Sequence, residues 1–136
     1  MKRTNNLKRR ARDRSGIAII ELAVCLPAIV LLVLGSIEAC TMVFVKQSLH
    51  ISAYEGVRSA IKSDGNAADA VARANRILDE RGVKNASVEV TPRVPENADL
   101  GTAVTVRITT PAIDNSVLRL KFFSGDLESE VTMSKE

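Results

Sequence analysis

Ser15-Gly16-Ile17-Ala18-Ile19-Ile20-Glu21-Leu22-Ala23-Val24-Cys25-Leu26-Pro27 runs on through Ala28-Ile29-Val30-Leu31-Leu32-Val33-Leu34-Gly35-Ser36-Ile37. Residues 17–37 are 21 positions with one charge, Glu21. About 20 apolar residues in a helix cross the hydrocarbon core of a bilayer. A helix is the one form in which a single segment satisfies its own backbone hydrogen bonds there. The stretch therefore reads as a transmembrane helix, with a local kink expected at Pro27. It is longer than the roughly 7–15 apolar residues of a cleaved secretory signal, and no clean small-x-small site comes after it. Ile37-Glu38-Ala39-Cys40 has the outline of a lipoprotein cleavage box, but Glu38 stands where that box needs a small residue.

The flanks set the orientation. Residues 1–16 hold seven basic side chains and one acid, whereas the other 120 hold 12 basic and 15 acidic. The net charge of +3 thus belongs to the N-terminal tail, not to the C-terminal part of the chain. Basic residues ahead of an apolar helix stay in the cytoplasm. A nucleic-acid partner would need a basic folded surface, usually with stacking aromatics; aromatics are 3% of the chain and Trp is absent. Residues 1–14 show no apolar period and are expected to be disordered.

Beyond residue 37 the helix is expected to continue to about residue 63. Val43, Val45, Leu49, Ala53, Val57, Ala60 and Ile61 recur mostly at three- to four-residue steps, with polar side chains between them. Ser63-Asp64-Gly65-Asn66 supplies the stop. Asn66 can cap a second helix whose apolar face is Ala67, Ala70, Val71, Ala74, Ile77 and Leu78, and Gly82 marks its end. The period then changes to two. Residues 86–91, 102–109 and 126–133 alternate as strands, with Val104, Val106 and Ile108 on one face and Pro92, Pro95 and Pro111 as boundaries. Residues 117–122 read as strand or short helix. The expected fold class is α+β: a long N-terminal transmembrane helix, a second helix and a small antiparallel sheet. The soluble part is near the lower size limit for a self-sufficient core.

Glu21 is the most informative single residue. A charge at the centre of a membrane helix costs about 2.5–3.5 kcal/mol on insertion scales. Near the end of the segment, Glu21 has two readings: a snorkelling or protonated carboxyl, or a functional acid. Were the chain cut after Gly16, Ile17 would carry a new amine, one helical turn from Glu21 on the same face. An acid in the first turn also suits the helix dipole. The pair could form within one chain or between neighbouring subunits, where it would set axial register.

The basic leader, Gly16, the apolar stretch and a Glu at the fifth position after Gly16 resemble the prepilin processing signal of type IV pilins. The usual pilin has Phe after the cut; Ile17 stands here, in keeping with the looser signals of the tight-adherence system. Ile20-Glu21-Leu22-Ala23 through Leu26-Pro27, with Leu34-Gly35-Ser36-Ile37-Glu38 after it, is similar to the N-terminal hallmark of the TadE-like pseudopilin family. Tyr54-Glu55-Gly56-Val57-Arg58-Ser59-Ala60 resembles that family's downstream motif. The resemblance covers about residues 14–60 and implies a pilin-like plan. It further implies cleavage between Gly16 and Ile17 by a prepilin peptidase. The product would be a minor pilin-like component of a pilus or secretion apparatus, with other pilin or pseudopilin subunits and the assembly machinery as partners. Such proteins are substrates and building parts, not enzymes. The chain would be a single-pass protein of the bacterial inner membrane. Residues 1–16 would be a basic cytoplasmic leader, 17–63 the long helix, and 64–136 a small periplasmic or extracellular domain. The alternative is an uncleaved single-pass anchor presenting a small binding domain.

The remaining polar and small residues carry more modest expectations. Glu38 reads first as an interfacial, solvated carboxylate, with an interhelix contact in an assembly as the other reading. Gly35 and Ala39 make a small-x-x-x-small pair that lets helices approach closely, a pattern also common by chance. Glu55 and Arg58, at i and i+3, are either a surface ion pair worth little or, on the family motif, a domain-docking pair. Gly56 between them would permit close packing of the helix on the domain. His50 reads as a solvated helix position. Cys25 and Cys40 are separated by roughly 22 Å of helix. They cannot bridge each other within it and read as helix-packing residues, an intermolecular disulfide being the minor alternative. No catalytic residue, metal ligand set or cofactor motif is expected.

Overall fold

The computed structural model describes residues 4–62, 65–92, 101–119 and 125–135, with side chains from residue 16 onward. Pro95, residues 63 and 64 of the expected stop and residues 120–122 lie outside them. The elements are α1 (Thr4–Ala60), α2 (Ala67–Glu80), β1 (Ser87–Thr91), β2 (Ala103–Pro111), α3 (Ala112–Asn115) and β3 (Asp126–Ser134). The chain divides into two compact units, Met1–Ile37 and Glu38–Glu136.

In the first unit the tail expected to lack structure is helical from Thr4. Helix formation is limited by its nucleus. The apolar segment supplies that nucleus, so the upstream residues need only propagate it, and Lys, Arg and Leu are good helix formers. Pro27 lies inside α1. The 18-residue apolar window of this helix has a mean hydropathy of 2.9, and none of it is buried within the chain. Twelve large aliphatic side chains between Ile17 and Ile37 are 45–73% exposed. Leaving them in water would cost on the order of 10–20 kcal/mol, comparable to the whole stability of a typical domain. The segment is thus long and apolar enough to cross a membrane, and nothing among the described residues shields it.

In the second unit one face of α1 becomes the floor of a core. Val45, Leu49, Ala53, Val57 and Ala60 are buried at three- to four-residue steps. Val43, expected on this face, is instead 57% exposed, and Met42 takes the inward place. At about 100° per residue Val43 falls outside the stripe. Ser48 and Ser52 are fully buried in the same stripe. Their hydroxyls donate to the carbonyls of Phe44 and Ser48, each 2.8 Å away, which satisfies them without a partner across the core.

α2 contributes Ala70, Ala74 and Leu78 to this core. Its start is a capping box: the Asn66 side chain accepts from the Asp69 N–H (3.0 Å) and Asp69 accepts from the Asn66 N–H (3.3 Å). Its end is a Schellman motif. Gly82, at φ +68, donates to the Asp79 carbonyl, and Val83 donates to that of Leu78, both at 3.0 Å. Val83 and Leu78 are both buried, the apolar contact that usually accompanies this motif.

The sheet is an antiparallel meander in the order β1-β2-β3. Val106 pairs with Val90 on one side and Val131 on the other. Val104, Val106, Ile108 and Thr110 alternate inward and are fully buried, while Val88, Val90, Leu127, Val131 and Met133 pack around them. The outward face is polar. Arg107 stands between Glu89 and Glu130 in register and pairs with Glu130 at 2.7 Å and Glu128 at 3.0 Å. Residues 117–119, expected as strand or helix, are neither; the short helix α3 falls just before them.

Candidate functional site

Gly16, Ile17 and Glu21 lie on α1 within the first unit, all exposed. A Cβ built on Gly16 meets nothing within 4 Å. The fold therefore gives no steric reason for glycine at this position. Glu21 forms no ion pair among the described residues. The uncut chain has no amine at Ile17 for it to face.

Gly35 also lies in open space, with nothing within 4 Å of an added Cβ. Ala39, in the second unit, is exposed. Neither is buried by a helix contact among the described residues. Cys25 and Cys40 are free and exposed. His50 is exposed, with its Nδ1 3.4 Å from the Ser129 hydroxyl. Among the described residues no group of three or more His, Cys, Asp or Glu side chains is placed so that it could hold a metal ion.

Glu55 and Gly56 meet α2, whereas Arg58 is exposed. The Glu55 carboxylate is 3.3 Å from the Arg73 guanidinium on α2 and 3.9 Å from Arg58. The bond across helices is thus the shorter one, and Arg73 is a partner that i, i+3 spacing does not reveal. Gly56 is buried, and a Cβ there would sit 3.2 Å from the Ala70 carbonyl oxygen and 3.3 Å from the Ala74 Cβ. Small residues at 56, 70 and 74 bring the two helices together. The ion pair lies at the rim of this contact, half-exposed, where it is worth at most about 1 kcal/mol.

Glu38 corrects the solvated reading. It is the first residue past the apolar segment, yet it is 1% exposed. Its carboxylate accepts from the Ser116 hydroxyl in a short contact and from the Leu118 N–H at 3.1 Å. The Ser116 hydroxyl, helped by the backbone N–H groups of Leu118 and Val117 and opposed by burial, holds this carboxyl below its ordinary range. The partners are about 80 residues distant in the chain, and no local spacing signals them.

Residues 16–58 match the model of a family described as TadE-like protein, the family that the sequence resembles. The match begins at Gly16, takes in Glu21 and Glu38, and ends at Arg58, covering about a third of the chain. No curated protein and no solved structure matches the chain.

Proposed function

We propose that this chain is a pseudopilin-like subunit of a tight-adherence pilus or a related secretion apparatus, made as a precursor and cut between Gly16 and Ile17 by a prepilin peptidase. The observation that carries the reading is the family match, which starts at Gly16 and contains Glu21. The fold adds support: a side chain at Gly16 would meet no obstacle, so the glycine answers to something other than packing. The freed Ile17 amine would meet a carboxylate one turn along the helix, on its own chain or a neighbour. Glu21 would otherwise sit in the membrane without a counter-charge, at a cost of a few kcal/mol. The basic leader orients the N-terminus to the cytoplasm and the domain to the far side of the inner membrane. The chain acts as substrate and building part, with the peptidase, other pilin or pseudopilin subunits and the assembly machinery as partners, and performs no catalysis.

The test is the intact mass of the full chain expressed with active and with inactive prepilin peptidase. Loss of residues 1–16 only beside the active enzyme is the expected result. A full-length chain under both conditions would overturn the processing step and favour an uncleaved anchor.

A further inference from the structure

A cleft of about 420 Å³ opens in the second unit where α1 meets the α2–β1 and α3 turns. Its lining includes Phe44, Arg81, Lys84, Asp114, Val117 and Arg119. Three cations face one carboxylate. None of the three cations forms an ion pair among the described residues, and Asp114 instead accepts from the Asn85 amide at 2.9 Å. The walls are fixed. The Lys84 N–H donates to the Asn115 side chain (2.8 Å), and the Lys84 carbonyl accepts from the Thr110 hydroxyl (2.6 Å) and the Asn115 amide (3.1 Å). Two exposed apolar side chains, Phe44 at 48% and Val117 at 62%, complete the lining. Basic groups beside apolar ones fit an amphiphilic anion.

The place of the cleft in the chain decides which anion. Glu38 comes directly after the apolar segment and holds Ser116 and Leu118 by hydrogen bonds. The turn that carries Val117 and Arg119 is thus bonded to the residue next to the segment that reads as membrane-spanning.

We propose that this cleft binds the phosphate headgroup of an anionic phospholipid in the leaflet on the domain's side. Arg81, Lys84 and Arg119 take the phosphate, and Phe44 and Val117 flank it. The proposal rests on the membrane-spanning reading of residues 17–37, and not on cleavage at Gly16.

The experiment places the full chain in nanodiscs of phosphatidylcholine alone or with about a third phosphatidylglycerol. Amide hydrogen exchange is read at Lys84 and Leu118, whose N–H groups are bonded in the cleft wall and to Glu38. Incorporation into the discs checks the spanning reading separately. Each basic side chain at an anionic surface contributes up to about fivefold in binding. Phosphatidylglycerol should slow both amides by about fivefold or more, with no change at Val106 in the sheet. The triple variant Arg81→Gln, Lys84→Gln, Arg119→Gln should lose the effect with Val106 exchange intact. A charge-matched control, Lys46→Gln, Lys62→Gln, Arg76→Gln, should keep it. Equal exchange in both lipids, equal loss in the control, or protection by inorganic phosphate in plain phosphatidylcholine without any by phosphatidylglycerol would each overturn the proposal.

Discussion

At the Glu38 carboxylate, burial and hydrogen bonding pull in opposite directions, and the hydrogen bonds from Ser116 and Leu118 prevail. Its folded-state pKa is depressed, so its contribution to stability is fully present above the unfolded value, near 4.5. That contribution is lost as pH falls through the folded value. Melting of the domain in detergent, tracked from pH 7 downward, should show the difference between the parent chain and Glu38→Gln shrinking below about pH 5. A difference that stays constant or grows on acidification would contradict the depressed pKa. Glu38→Ala should be less stable than Glu38→Gln at neutral pH, because it leaves the Leu118 N–H with no acceptor. The sequence marked Glu38 as a carboxylate at a membrane boundary. Its burial was invisible there, because the groups that cover it come from a turn formed far along the chain.

At the scale of elements, the contact between α1 and α2 is set by backbone proximity. Gly56 has the Ala70 carbonyl 3.2 Å from where its Cβ would lie, and a carbonyl in a helix has little room to retreat. Gly56→Val should destabilise the domain by about 1–3 kcal/mol through overpacking, a fall in melting temperature of several degrees. Gly56→Ala should cost less, since alanine regains about 0.8–1 kcal/mol of helix propensity against a smaller clash. If valine were as stable as glycine, the helices would not be held by this approach. The ends of α2 were legible locally: Asn66 and Gly82 stand where a cap and a stop must stand. The Glu55–Arg73 bond was not, since it depends on how two helices lie together.

Across the whole molecule, two kinds of apolar helix surface occur in one element and answer to different surroundings. Leu49, fully buried among α1, α2 and sheet residues, should cost about 2–5 kcal/mol when replaced by alanine. Leu31, 71% exposed on the apolar segment, should leave the melting of the domain unchanged on the same replacement. Equal effects in a thermal scan of the two variants in detergent would show that the units do not melt separately. The sequence by itself determined a helix long and apolar enough to cross a membrane, because a run of 21 residues with one charge leaves few polar groups for water to solvate. It also determined α2 and the strands, whose period and caps are short-range properties of the backbone. The Gly16 and Glu21 pattern was readable because it lies within two helical turns. Only the tertiary structure decided the rest: the burial of Glu38, the bond from Glu55 to Arg73, the outward turn of Val43 and the gathering of Arg81, Lys84 and Arg119 around one cleft. Apart from Val43, whose direction follows from the helical period itself, these depend on which surfaces meet, and contacts between residues tens of positions apart leave no periodic trace in the chain.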